Sequence, residues 1–208
     1  MHARWMSAMK SILILLLAST LFISIARGQE PLFAGSAPQI EASLGYSYLS
    51  FGVPSSGQIP MQGADATVTA NLFSRIGAKI DLSYTASQNV FSTKNHSDAF
   101  TYLGGPVVYA LRRKRFLVST EFLIGGGLFK GVIPAADHNG YSYGYSNQVA
   151  WAAGGGFQFR ILDSIETRVG IDYIRGMFLN PSFQLRGQSN FRTTFSAVYV
   201  LRRHHPRP

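Results

Sequence analysis

The sequence predicts an all-β fold, a closed antiparallel eight-stranded up-and-down transmembrane β-barrel. Three observations predict it. Eight runs alternate apolar and polar residues with period two, the periodicity of a strand with two unlike faces. The connections between the runs are alternately long and short, as in barrels that gather turns at one membrane surface and loops at the other. One face of the runs is small and polar while the other is aliphatic and aromatic, the division between a narrow lumen and a lipid-facing wall.

The first run sets Ile40, Ala42, Leu44, Tyr46 and Tyr48 against Glu41, Ser43, Gly45 and Ser47. The second sets Ala64, Ala66, Val68, Ala70 and Leu72 against Asp65, Thr67, Thr69 and Asn71. Ala78 to Thr85, Phe100 to Tyr109, Phe116 to Ile124, Val149 to Ile161, Ile165 to Tyr173 and Phe191 to Leu201 continue the series. Most are near the length, about nine to eleven residues, that carries a tilted strand across a bilayer. Gly104-Gly105-Pro106 interrupts the fourth run, and a proline in a closed sheet predicts a bulge or a place near the rim. Long connections are expected at Phe51 to Gln62, Ala86 to Ala99, Gly125 to Gln148 and Ile174 to Asn190. Short ones are expected at Ser74 to Gly77, Ala110 to Arg115 and Leu162 to Ser164. The long set would face outward and the short set the periplasm, with both chain ends.

The N-terminus differs from everything after it. Arg4 and Lys10 precede an apolar run from Ile12 to Ile25, and Ala26-Arg27-Gly28 follows it with small residues where a signal peptidase reads. Residues 1–28 are therefore expected to be a signal peptide cleaved between Gly28 and Gln29. A membrane anchor would want about 20 apolar residues, more than this run offers. Residues 29–39 form an irregular lead-in with Pro31, Gly35 and Pro38, residues 40–201 the barrel, and residues 202–208 a basic tail.

Charged residues make up only 14% of the chain, against about 25% in soluble domains, so much of the surface is expected to avoid water. After Gly28 no apolar stretch is long enough for a membrane helix, which leaves strands as the spanning elements. Without cysteine there is neither a disulfide framework nor a thiolate metal site. The formal charge of +9 falls when Arg4, Lys10 and Arg27 leave with the signal, and Arg202, Arg203 and Arg207 crowd the tail. Nucleic acid is not an expected partner, because no basic stripe with interleaved aromatics runs along one face.

Size separates a membrane barrel from a soluble lipocalin-like one. Ser43, Gly45, Ser47, Thr67, Thr69, Ser83, Ala150, Ala152, Gly154, Gly156, Gly170, Thr194 and Ser196 are small enough to fill an eight-stranded lumen. A wet outer face would have no reason to avoid Lys and Glu. Tyr46, Tyr48, Tyr84, Trp151 and Tyr173 toward the loops, and Phe73, Phe116, Phe157, Phe159 and Tyr199 toward the turns, form two aromatic girdles.

Tyr102-Leu103-Gly104-Gly105-Pro106, Ala150-Trp151-Ala152-Ala153-Gly154-Gly155-Gly156 with an arginine closing its strand, and the opening Asn190-Phe191-Arg192 of the last run resemble the outer-membrane β-barrel domain family related to the transmembrane domain of outer-membrane protein A. The resemblance covers nearly the whole chain after the signal. It implies residence in the cell outer membrane among its lipids, insertion by the barrel-assembly machinery and a monomeric state. Relatives often end on an aromatic residue, whereas this chain closes its strand with Tyr199-Val200-Leu201 and continues to Pro208.

The chemistry-bearing positions are charges on the inward parity: Glu41, Asp65, Lys79, Asp81, Glu121, Arg160, Glu166, Arg168, Asp172 and Arg192. Charges in a narrow lumen must pair or keep water, so a structural ion-pair network is expected, with a narrow gated solute pore as the alternative that the resemblance allows. Some eight-stranded outer-membrane barrels are lipid-modifying enzymes, and such chemistry needs a nucleophile beside its base. Of the histidines after the signal, His96 and His138 fall in long loops and His204 and His205 in the tail, none on a strand beside a serine. Asp137-His138-Asn139 reads as a solvated loop, and adjacent His204-His205 lacks metal-ligand spacing. No catalysis, cofactor or metal is therefore expected. Gly125-Gly126-Gly127 and Gly154-Gly155-Gly156 lack the context of a phosphate loop and are read as strand bending and close packing. Arg112-Arg113-Lys114-Arg115 is read as a solvated turn at the level of anionic headgroups. The expected role is structural or interactive, with an extracellular ligand at the long loops.

Overall fold

Alternation of inward and outward side chains over eight segments leaves every strand with one face to bury and two edges to pair, and a closed sheet satisfies both. The computed structural model describes residues 39–53, 57–73, 75–88, 90, 95–113, 115–134, 141–162, 164–176 and 188–201. They form β1 (Gln39–Val53), β2 (Gly57–Asn71), β3 (Ile76–Ser87), β4 (Ser97–Arg112), β5 (Phe116–Pro134), β6 (Tyr141–Arg160), β7 (Ile165–Gly176) and β8 (Gln188–Leu201). Each pairs antiparallel with the next, and β8 returns to β1, which closes the barrel. β1 begins within the expected lead-in, with Gln39 paired to Asn71. The signal segment and the tail lie outside the described residues, as does Asp137-His138-Asn139.

The turn end is tight. Phe73 N donates to Ile76 O at 2.9 Å, Arg113 N to Phe116 O at 2.9 Å and Leu162 N to Ile165 O at 2.9 Å. Two of the expected long loops are mostly strand instead. β1 and β2 stay paired through Phe51↔Ile59 to Val53↔Gly57, and β5 and β6 stay paired through Gly125↔Ala150 to Pro134↔Tyr141. Only 54–56 and 135–140 separate these hairpin arms. In these arms the inner face still buries Phe51, Ile59, Phe129 and Val132, while the outer face mixes polar and apolar residues, so the pattern weakens although the backbone ladder persists.

The fourth strand also differs from expectation. Leu103 and Val107 are buried and Tyr102 and Pro106 exposed, so the alternation runs through Gly104-Gly105-Pro106 unbroken. The β5 ladder passes from Gly104↔Ile124 to Val107↔Glu121 in one register, and the slip comes later, between Tyr109 and Leu111. A lipid-facing proline costs the ladder a donor without moving the frame. The bulge sits where the strand enters its turn.

The outer wall carries apolar side chains at a density no wet surface sustains. Leu44, Val68, Ile80, Leu82, Ile171 and Phe195 lie exposed along its middle. At the loop end Phe122, Trp151, Tyr173 and Phe191 contact in sequence across β5, β6, β7 and β8, with centroids 5.9, 5.8 and 5.4 Å apart. At the turn end Phe116 and Phe157 stack at 6.0 Å, and Phe73, Phe159 and Tyr199 are exposed beside them. An aliphatic band between two aromatic girdles is the surface of a transmembrane barrel. Among the described residues no helix is long and apolar enough to cross a membrane.

Candidate functional site

The lumen is layered. On the loop side lies an apolar cluster that includes Leu49, Phe51, Ile59, Met61, Ala99, Leu103, Leu123, Phe129, Val132 and Ile174, with Phe51 and Phe129 stacked at 4.7 Å. On β1, β2, β5 and β7 these residues lie nearer the loops than the charges Glu41, Asp65, Glu121 and Asp172 of the same strands. Small polar residues were expected to fill the whole lumen. They fill its middle and turn half, where Ser43 shares a hydrogen bond with Thr67 at 2.6 Å and Ser83 donates to Ser47 at 3.3 Å.

The ten charged residues read from the sequence all lie on inward positions, and the fold groups most of them into two clusters. In the upper one Arg192, 1% exposed, grips two carboxylates. Nη1 and Nη2 donate to the two oxygens of Asp81 at 2.7 and 2.9 Å, and Nε and Nη2 donate to Asp172 Oδ2 at 3.1 and 2.8 Å. Lys79 Nζ reaches Glu121 at 2.8 Å and Asp81 at 3.4 Å. Asp65 is buried with its Oδ1 unsatisfied and stands in register between Gly45 and Ser83.

The lower cluster is tied by neutral residues. Arg168 Nη2 donates to Glu41 Oε2 at 3.0 Å and, with Nε, to Gln158 Oε1 at 2.6 and 2.9 Å. Gln158 also donates to Glu166, which accepts from Arg160 Nε at 2.9 Å. Asn71 donates to Glu41 Oε1 at 2.8 Å and accepts from the buried Tyr109 hydroxyl. Sequence reading missed Asn71, Tyr109 and Gln158 as members. For Asn71 and Gln158 the signal was parity alone, since they share the inward phase of Asp65 and Arg160 on their strands, whereas no charged residue on β4 shares the spacing of Tyr109.

Two glycine positions show what the clusters of small residues do. A Cβ at Gly154 would strike the Asp172 carboxylate that holds Arg192, so this glycine makes room for the ion pair. A Cβ at Gly126 would strike the Tyr102 ring, which covers the glycine on the outer wall as aromatic neighbours do in sheets. Among the described residues no group of His, Cys, Asp and Glu could hold a metal. His96 is exposed and lies 3.6 Å from Asp98.

Above the belt the β5–β6 hairpin outgrows its neighbours. β6 pairs with β5 from Tyr141 onward, but its pairing with β7 begins only at Ala150↔Gly176. Along the β7 side of residues 141–149 there is no paired strand among the described residues. Tyr143, Tyr145 at 65% and Val149 at 75% exposure stand on the outer face of this stretch.

No protein-family profile and no curated protein sequence matches the chain. Solved structures do. The attachment invasion locus protein of Yersinia pestis superposes with a TM-score of 0.56 at 15% identity, over 79% of this chain and 99% of that one. Its complex with the heparin analogue sucrose octasulfate gives 0.55 at 16%, over 79% and 99%. Neisserial surface protein A gives 0.54 at 10%, over 81% and 99%. The outer membrane protein OprG from Pseudomonas aeruginosa gives 0.53 at 10%, over 81% and 98%. The fold is that of small outer-membrane barrels.

Proposed function

We propose that this chain is an outer-membrane barrel with a closed lumen whose role is played outside the membrane, by the long β5–β6 hairpin presenting its exposed tyrosines to an extracellular partner. The observation that carries this reading is the reach of the hairpin, where β5 and β6 stay paired to Pro134↔Tyr141 while β6 pairs with β7 only from Ala150, and where Tyr143 and Tyr145 are exposed on the outer face. Tyrosines held on a paired hairpin offer apolar area with a polar tip, the surface that protein partners favour. The ten lumen charges serve as a structural network holding the strands in register, and no catalysis is assigned. Residues 1–28 direct export and are removed before Gln29. The barrel-assembly machinery inserts the remainder, which acts as a monomer surrounded by outer-membrane lipid.

Attachment of cells expressing the chain to surfaces coated with extracellular-matrix protein tests the reading. Asn147→Pro, which removes a backbone donor from the arm, and Tyr145→Asp should each lower attachment severalfold while the boiling-dependent gel shift stays as in wild type. Equal attachment by both variants would remove the hairpin from the role. Sucrose octasulfate, the ligand of the Yersinia complex, serves as a second probe, because Lys130, Arg175 and His96 are exposed at this end. Inhibition by it alone, with both variants intact, would move the site to those cations.

A further inference from the structure

At the opposite end the described turn residues Arg75, Arg113 and Arg115 are cationic and exposed. Arg113 and Arg115 are exposed, and neither joins an ion pair among the described residues. Among the described residues the acids nearest this end, Glu41 and Glu166, are buried and held by Arg168 and Arg160. Backbone bonds draw more cations alongside. Tyr109 N donates to Arg75 O at 2.9 Å and Arg160 N to Arg115 O at 2.8 Å, which gathers the turn-side ends of β3, β4, β5 and β6 into one arc. Arg112 lies over the Tyr109 ring at 5.3 Å.

The depth of this arc is fixed by what adjoins it. Leu111, Phe116 and Phe159 are exposed and apolar and form the last hydrocarbon-facing row. Guanidinium groups immediately beyond such a row sit at the level of lipid phosphates. A planar guanidinium binds a phosphate through paired donors, where an ammonium acts as a point charge.

We propose that Arg113 and Arg115, with Arg75 beside them, bind the phosphates of anionic phospholipids in the leaflet at the turn end, and so hold a local annulus enriched in those lipids. The proposal rests on the membrane-spanning reading given above.

The test uses the mature chain from Gln29 with Trp151→Phe and Phe116→Trp, which leaves one tryptophan at the row beside the arginines. It is refolded into phosphatidylcholine vesicles containing a minor fraction of phosphatidylglycerol, with bromine on the acyl chains of one lipid or the other. Quenching per brominated phosphatidylglycerol should exceed that per brominated phosphatidylcholine by at least about twofold. Arg113→Gln with Arg115→Gln should bring the ratio near one. A ratio near one in the unsubstituted-arginine reporter would overturn the proposal. A preference abolished by millimolar inorganic phosphate at constant ionic strength would also overturn it, marking a site for free phosphate instead. If the Phe116→Trp chain does not fold, Phe159→Trp takes its place. A wild-type chain that never acquires a boiling-dependent gel shift in vesicles would instead sink the membrane reading itself.

Discussion

Arg192 engages four of the five N–H donors that a guanidinium carries, all within the lumen. Removing one partner of a buried ion pair strands the other, at about 3–5 kcal/mol. Asp81→Asn should therefore destabilise the barrel by about 3 kcal/mol or more, although Asp172 stays in place. Asp65 is also buried, yet one of its oxygens has no partner. Asp65→Asn gives up no ion pair and should fall within about 1 kcal/mol of wild type. Urea unfolding in lipid vesicles separates the two, and an equal loss in both would make Asp65 a full member of the network. The sequence exposed the ten charges because an ionised residue on the inward phase of a strand stands out. It could not expose the pairing. Asp81 and Arg192 are 111 residues apart, and what joins them is strand tilt and the closing of β8 on β1.

At the scale of the strand, the inward and outward phases were legible wherever lipid meets one face, and β3 tests them most directly. Leu82 is exposed on the wall at 43% and Ser83 is buried at 4% in the lumen. An arginine facing lipid near the midplane costs about 2–4 kcal/mol, so Leu82→Arg should be clearly destabilising. Ser83→Arg enters a lumen where Asp65 stands directly opposite in register with an unsatisfied oxygen. A new ion pair offsets part of the overpacking, itself about 1–3 kcal/mol. Ser83→Arg should be the milder of the two on refolding into vesicles, and insertion of Leu82→Arg as readily as wild type would invert the faces. The hairpin arms were illegible for the same reason that the spanning segments were clear. Gly125-Gly126-Gly127 carries no side-chain phase, and above it Lys130 and Asn147 share the outer face with Leu128 and Tyr145, so only the β5–β6 ladder marks a strand.

For the molecule as a whole, closure and strand order were legible from the alternating connection lengths, whereas the layering of the lumen was not. Leu103 and Leu123 are single apolar residues on the polar phase of separate runs and each reads alone as an exception, while Leu49 falls just past the first run and Met61 in the connection expected after it. Closing the barrel collects them into one cluster. The result is two barriers in series, a charge layer centred on Arg192 and an apolar layer on its loop side. An apolar constriction blocks ions by excluding water, whatever the state of nearby charges. Purified wild type should therefore give no steady conductance in planar bilayers. Arg192→Ala should be equally silent, since the apolar layer still stands. Met61→Ser with Leu123→Ser opens the apolar layer but leaves Arg192 between its aspartates, and should also stay closed. Only the three substitutions together should yield steady small-ion conductance, provided that the boiling-dependent gel shift shows a folded barrel. Conductance from Arg192→Ala alone would make the charge layer the sole barrier, and the stack of Phe51 on Phe129 would then be a feature of hairpin rigidity rather than of closure.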